Sequence, residues 1–295
     1  MSPFAKYKPM LPRARAGCAL FLGFILLACL AGVSAAGGEL PDLRPTVSLP
    51  GTANEPNEGQ RAAESAMLYL PAAFSSFPDS SYPAYMGDLP FESLKISSLA
   101  AGATQRWTMV LMAGELITIN AAPGKTADII LSISDDQGNL LVDRQNNSPP
   151  GEVESVEDLT INETGTYTLY VRAAGDMPAD YALLLLDADS YELLFRGILL
   201  PNTPMDDALP AETDHIWLIG GQSGEYLTIF VVPSAGGDAY VEFYGPDGEI
   251  LAIADENSLG EPEKIENYPL QQSGLYAVRV GEFYFNPMTY QITLN

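Results

Sequence analysis

The chain is written twice, and that constrains it more than any other feature. Trp107 recurs as Trp217, Gly114-Glu115 as Gly224-Glu225, Asp128 as Asp238 and Gly138 as Gly248, each pair 110 residues apart. Further on, Gly165-Thr166-Tyr167 recurs as Gly274-Leu275-Tyr276 and Tyr181 as Tyr290, now 109 apart. Whatever fold the first copy adopts, the second adopts too, with a slip of one residue between those landmarks. A unit of roughly 100 residues is large enough to bury its own core.

The pattern inside each copy has period two. Trp107, Met109 and Leu111 alternate with Thr108, Val110 and Met112, and Ile129-Ile130-Leu131-Ser132-Ile133 and Thr166-Tyr167-Thr168-Leu169-Tyr170-Val171 follow. The second copy repeats this with Tyr226-Leu227-Thr228-Ile229-Phe230-Val231, Ala239-Tyr240-Val241-Glu242-Phe243 and Tyr276-Ala277-Val278-Arg279-Val280. Short β-rich runs separated by Gly, Pro, Asp and Asn predict strands, and no helical periodicity competes. Ala113-Gly114-Glu115 and Asp135-Asp136-Gln137-Gly138-Asn139 read as hairpin-type turns, and Pro246-Asp247-Gly248 as a turn in the second copy. Seven or eight strands per copy predict an all-β protein of two tandem β-sandwich (jelly-roll-like) domains.

A leader and a linker precede the copies. Lys6, Lys8, Arg13 and Arg15 stand before the apolar run Cys18 to Leu30, the order of an export signal. Three processing routes fit: cleavage after the small residues near Ser34-Ala35-Ala36, lipidation of Cys29 in Leu26-Leu27-Ala28-Cys29, or retention as an anchor, since uncharged sequence runs from Ala16 to Gly38. Residues 37–87 are rich in Pro, Gly, Ser and Ala, a composition that predicts a disordered linker. The expected boundaries are therefore 1–36 for the signal, 37–87 for the linker, 88–188 for the first sandwich and 191–295 for the second. Asp187-Ala188-Asp189-Ser190 reads as a short hinge. Both cysteines, Cys18 and Cys29, lie in the leader, so the sandwiches are expected to hold without disulfides.

Two stretches carry a family resemblance. One runs from Gly224-Glu225 through Leu227-Thr228-Ile229 to Asp238-Ala239-Tyr240-Val241 and Pro246-Asp247-Gly248-Glu249-Ile250-Leu251; the other is Gly274-Leu275-Tyr276-Ala277-Val278-Arg279-Val280. With their first-copy counterparts they resemble the bacterial pre-peptidase C-terminal domain family, small β-sandwiches often appended to secreted peptidases. The resemblance covers roughly residues 90–295 and implies a secreted or cell-surface bacterial protein. It also raises calcium binding as a property of some relatives.

Charge narrows the partners. With 38 acidic and 14 basic residues the net charge is −24, which disfavours nucleic acid and anionic lipid. Membrane contact is expected only through the N-terminal segment.

Signals for catalysis are sparse. His215 is the single histidine, with Gln105 as its counterpart, and no Gly-x-Ser-x-Gly or phosphate-binding glycine pattern occurs. No catalytic residue is assigned, and a carboxylate-dependent hydrolase is the weakest reading. Calcium takes several carboxylate and carbonyl oxygens. Its candidate ligands are Asp128, Asp136 and Asp143 in the first copy and Asp238, Asp247 and Asp255 in the second, with Asp128/Asp238 and Asp143/Asp255 matched. The alternative for these residues is local turn bonding. Trp107 and Trp217, and the tyrosines matched with them, read as core. Phe283-Tyr284-Phe285, without a first-copy equivalent, reads either as a binding patch or as packing between the domains. The expected function is non-catalytic binding to extracellular protein or polysaccharide. The alternative is an accessory module for an exported peptidase or assembly partner.

Overall fold

Period-two sequence yields strands throughout, and no helix occurs among the described residues. The structure, a computed structural model, describes residues 83–124, 126–175, 177–190 and 192–295; the leader, Cys29 and residues 37–82 of the expected linker lie outside the described residues. The first copy forms β1 (Ala84–Asp88), β2 (Lys95–Leu99), β3 (Thr104–Leu111), β4 (Leu116–Pro123), β5 (Ile129–Ser134), β6 (Leu140–Gln145), β7 (Glu154–Thr160), β8 (Gly165–Ala173) and β9 (Ala179–Asp187). The second forms β10 (Glu192–Ile198), β11 (Met205–Leu209), β12 (Thr213–Gly221), β13 (Tyr226–Pro233), β14 (Ala239–Tyr244), β15 (Ile250–Ala254), β16 (Glu263–Pro269), β17 (Gly274–Glu282) and β18 (Met288–Leu294).

Each copy closes two sheets over a core. Sheet I has the order β1-β3-β8-β5-β6 and sheet II the order β2-β9-β4-β7; sheets III (β10-β12-β17-β14-β15) and IV (β11-β18-β13-β16) repeat them in the second copy. The edge strands β1 and β10 pair in parallel with β3 and β12, and the other paired strands are antiparallel. The fold is thus two β-sandwiches, with nine strands per copy rather than seven or eight.

Strands β1 and β10 break their alternation. Gly87 and Gly197 have φ of +109° and +122°, and the pairing register shifts beside each. Such bulges hide a strand from a period-two reading. The expected linker end at residue 87 accordingly falls inside β1.

Two further expectations change. The Ala113–Glu115 turn is not a hairpin: β3 belongs to sheet I and β4 to sheet II, so the turn arches between layers. The one-residue slip is a bulge in β6. Ile133 and Leu131 face Val142 and Gln145 across sheet I, whereas Phe243 and Val241 face Ala252 and Ala254 across sheet III. The extra residue lies at Asp143–Arg144, where Arg144 has φ +53° and its N–H donates to Ser132 Oγ at 3.0 Å.

Inward residues make the two sandwich cores. Trp107, Met109, Ile117, Ile119, Leu131, Leu169 and Tyr181 are buried in the first; Trp217, Ile229, Val241, Phe243, Val278 and Tyr290 are buried in the second. A third cluster joins the modules. Ala182, Leu184 and Leu186 on the outer face of β9 pack with Ile216 and Leu218 of β12 and Leu275 and Ala277 of β17. Sheets II and III therefore stack face to face. Each leucine or isoleucine fully buried there contributes about 1.5–3 kcal/mol. The Asp187–Ser190 connection joins packed modules: Ser190 N donates to Asp187 O at 3.1 Å, and Ser190 Oγ to Asp187 Oδ1 at 2.8 Å.

Candidate functional site

The loop between β17 and β18 is where the second copy departs most from the first. The strand register places Glu282 opposite Ala239 in β14 and Ala173 opposite Ile129 in β5, so Glu282-Phe283-Tyr284 stands where the first copy has Ala173-Ala174-Gly175. Glu282 is buried, 1% exposed. Its Oε2 accepts the N–H groups of Tyr284 at 2.9 Å and Asn286 at 2.7 Å, and Oε1 that of Asp238 at 3.4 Å. A carboxylate inside a ring of backbone donors is paired and fixes the loop around it. Phe283 N donates to Asp238 O at 2.9 Å, and Phe285 O accepts from Glu212 N at 3.2 Å.

This framework holds the aromatics outward. Tyr284 is 60% and Phe285 41% exposed; Phe283 is half-buried and meets Tyr284 edge-on at 5.0 Å. Phe285 has φ +61°, a conformation a bulky L residue adopts only when its surroundings impose it. The buried cluster that joins the modules is built from other residues, Ala182, Leu184 and Leu218 among them.

The aspartates proposed for calcium lie in several separate turns. Asp136 flanks the β5–β6 turn and hydrogen-bonds the side chain of Gln137, while Asp247 Oδ1 accepts Glu249 N at 3.2 Å in the equivalent β14–β15 turn. Asp128 Oδ2 accepts from Asn146 Nδ2 at 3.5 Å. Asp143 sits in the β6 bulge, so the register pairs Asp255 with Asn146 and not with Asp143. Asp238 and Asp255 both lie close enough to Glu263 to raise its pKa, adding to the larger effect of burial against the backbone N–H groups of Asn257 and Glu256. No group of three or more His, Cys, Asp or Glu side chains among the described residues is arranged to hold a metal ion.

His215 lies inside the second core, 1% exposed. The first copy shows the basic device: Trp107 Nε1 donates to Tyr181 Oη at 2.9 Å, and Tyr181 donates to Gln105 Oε1 at 2.6 Å. In the second, Trp217 Nε1 donates to Tyr290 Oη at 2.8 Å, and His215 Nδ1 lies 2.8 Å from the same oxygen. Burial pushes the His215 pKa down, while Asp207, with Oδ2 3.3 Å from Nδ1, pulls the other way. Burial works against ionisation of Asp207 as well. Together, a bidentate bond from Arg196 at 2.7 and 2.9 Å, the Ala208 N–H and the nearby His215 overcome it and hold that carboxyl below its usual range.

A second buried charge lies on the face of sheet III that turns toward sheet II. Asp214, 0% exposed, takes Arg279 Nε at 2.6 Å and Nη2 at 2.5 Å, and accepts the Tyr240 hydroxyl at 2.5 Å. Arg279 also reaches Glu242 at 3.3 Å. A Cβ at Gly281 would collide with Asp214 Oδ1 and the Tyr240 ring, so the glycine makes room for this pair. The alternating run Tyr276-Ala277-Val278-Arg279-Val280 marks Arg279 as outward-facing, and nothing in it signals a buried partner.

No family model matches the chain, and no curated protein matches it. Among solved structures the chain is similar to the pre-peptidase C-terminal domain of a collagenase from Bacillus anthracis, at 14% identity and a TM-score of 0.29 over 35% of this chain and 93% of that one. It is also similar to PliG, a periplasmic inhibitor of g-type lysozyme from Aeromonas hydrophila, at 11% identity and a TM-score of 0.27 over 35% of this chain and 98% of that one. A third similarity is to the PBSX exported protein XepA, at 10% identity and a TM-score of 0.25 over 69% of this chain and 87% of that one.

Proposed function

We propose that the protein is an exported, non-catalytic binding module that contacts extracellular protein or polysaccharide through the β17–β18 loop. The observation that carries this reading is the exposed Tyr284–Phe285 pair, held on a strained backbone by buried Glu282. A loop already fixed in its bound shape loses little conformational entropy on binding, and exposed aromatics supply rigid contact area. The non-catalytic part draws support from His215, the single histidine, being enclosed in the core, which speaks against a histidine base. Export rests on the order of charge and hydrophobicity in the leader.

The test is co-sedimentation of the chain with insoluble collagen, chitin, cellulose and peptidoglycan, each in calcium and in EDTA. Depletion onto one matrix, lost when Phe283, Tyr284 and Phe285 are changed together to Ala, supports the reading. Depletion that survives the change removes the loop from the binding surface. A calcium requirement would return the aspartates to the site.

A further inference from the structure

The four sheets stack in the order I, II, III, IV, so the outer face of sheet I ends the stack. Thr104, Arg106 and Thr108 of β3 stand on that face, opposite Arg172, Tyr170 and Thr168 of β8. Ile130, Ser132 and Ser134 of β5 continue it on the other side of β8. A face at the end of a stack meets water, yet Tyr170 is 4% exposed, Ser132 2% and Ser134 0%. The Nε atom of Arg172, beside Tyr170, is enclosed as well.

The second copy shows what burial at these positions takes. Their counterparts by register are Arg279, Glu242 and Tyr244, on the face of sheet III that sheet II covers. Tyr170 belongs to none of the three buried clusters among the described residues. A tyrosine stands taller than the serines and threonines around it, so a layer over the face, more than its neighbours within the sheet, takes it out of water.

We infer that this layer is a segment of the same chain, residues 67–74, docked on the outer face of sheet I. Its sequence, Met67-Leu68-Tyr69-Leu70-Pro71-Ala72-Ala73-Phe74, is an apolar run within the expected linker, and it lies outside the described residues. Position selects it first. β1 is an edge strand of sheet I, so residues 1–82 reach the fold at this sheet. Two strand spacings, about 10 Å, separate β1 from β8, and a covering layer sits about 10 Å above a sheet. Residues 75–82 can span about 26 Å when extended, which is enough. So short a connection holds the segment at an effective concentration on the order of millimolar, an advantage a second copy in dilute solution lacks. Composition selects it too. Residues 65–78 carry no charge, and Glu64 and Asp79 bracket them, opposite in sign to Arg106 and Arg172 on the face. The segment then does for sheet I what sheet II does for sheet III.

The test is nitration of tyrosines by tetranitromethane in the full chain, mapped by mass spectrometry. Tyr226, 69% exposed, and Tyr181, in the core, are the internal references. Tyr170 should react about tenfold or more slowly than Tyr226. Leu68→Ser and Leu70→Ser together should release it, while Tyr181 stays unreactive and shows that the sandwich is folded. From the other side, Tyr170→Ser should speed chymotryptic cleavage after Tyr69, again with Tyr181 unreactive. Three results would overturn the inference. Nitration of Tyr170 as fast as Tyr226 in the parent would mean that no layer covers it. Slow nitration unchanged by the two serine substitutions would assign the cover to another segment. Release of Tyr170 in the parent on about a hundredfold dilution would assign it to a second copy.

Discussion

Replacing His215 with Gln should flatten the stability of the protein between pH 7 and pH 5. The first copy already performs this exchange, since Gln105 accepts the Tyr181 hydroxyl in the place where His215 meets Tyr290. In the unfolded chain a histidine takes up a proton near pH 6.5. In the fold, burial pushes that pKa down, opposed by Asp207. The unfolded state therefore binds the proton first as pH falls. The contribution of His215 is complete above about pH 6.5 and is lost as pH drops from there toward its lowered folded value. The slope cannot exceed about 1.4 kcal/mol per pH unit, which sets a ceiling of roughly 2 kcal/mol at pH 5. With Asp207 opposing the shift, the difference is expected to fall below that ceiling.

Asp207 itself falls in another window. Its folded pKa is lowered, so its contribution is present above about pH 4 and is lost on acidification below that. Urea unfolding at pH 7, 6 and 5 on the parent and His215→Gln separates the two. The parent should lose stability relative to the variant, most of it below pH 6.5. Parallel curves for the two proteins from pH 7 to pH 5 would refute the reasoning.

Three other substitutions probe the framework. Tyr290→Phe removes the acceptor of Trp217 Nε1 and the neighbour of His215 Nδ1; an unsatisfied buried group costs about 1–3 kcal/mol, to be read as a lowered urea midpoint. Gly281→Ala forces Tyr240 off Asp214, with an expected loss of about 1–3 kcal/mol and an altered near-ultraviolet tyrosine signal; a neutral result would show that the Asp214–Arg279 pair does not depend on Tyr240. Leu218→Asp puts a charge into the cluster between sheets II and III while leaving both sandwich cores in place. Calorimetry should then resolve two unfolding transitions, and a single transition merely shifted downward would count against two separable cores.

Much of this fold was legible because the chain is repeated. Matched Trp107/Trp217 and Tyr181/Tyr290 identify the core pair, and each pair is hydrogen-bonded in the same way. Tyr167 and Tyr276, also matched, donate to the carbonyls of Glu163 and Gln272, both at 2.6 Å, as corner tyrosines do. What escaped was set by geometry that sequence spacing does not carry. Strands β1 and β10 were hidden by their bulges, and the Asp143/Asp255 match failed because an inserted residue in β6 changes the register locally. Glu282 was invisible for another reason: a single acid before an aromatic run reads as surface, and only its backbone partners show that it is buried. The aromatic triplet itself was legible, as a place where one copy has what the other lacks.

That same subtraction locates the contact between the modules. Strand β18 alternates, with Thr289, Gln291 and Thr293 away from the core and Tyr290, Ile292 and Leu294 toward it. Its counterpart β9 carries Ala182, Leu184 and Leu186 where β18 is polar, and it is buried on both faces. Strand β3 has Thr104, Arg106 and Thr108 on its outer face; β12 has Asp214, Ile216 and Leu218. One copy is therefore apolar on the outer face of its β9 sheet and the other on the outer face of its β12 sheet. Two faces that each need cover lie on opposite sides of equivalent domains and cover each other. The contact is head-to-tail by construction, and it leaves the loop after β17 as a feature produced once in the chain. A repeated fold supplies the scaffold twice, while the surfaces that distinguish the copies are the ones open to selection for a partner.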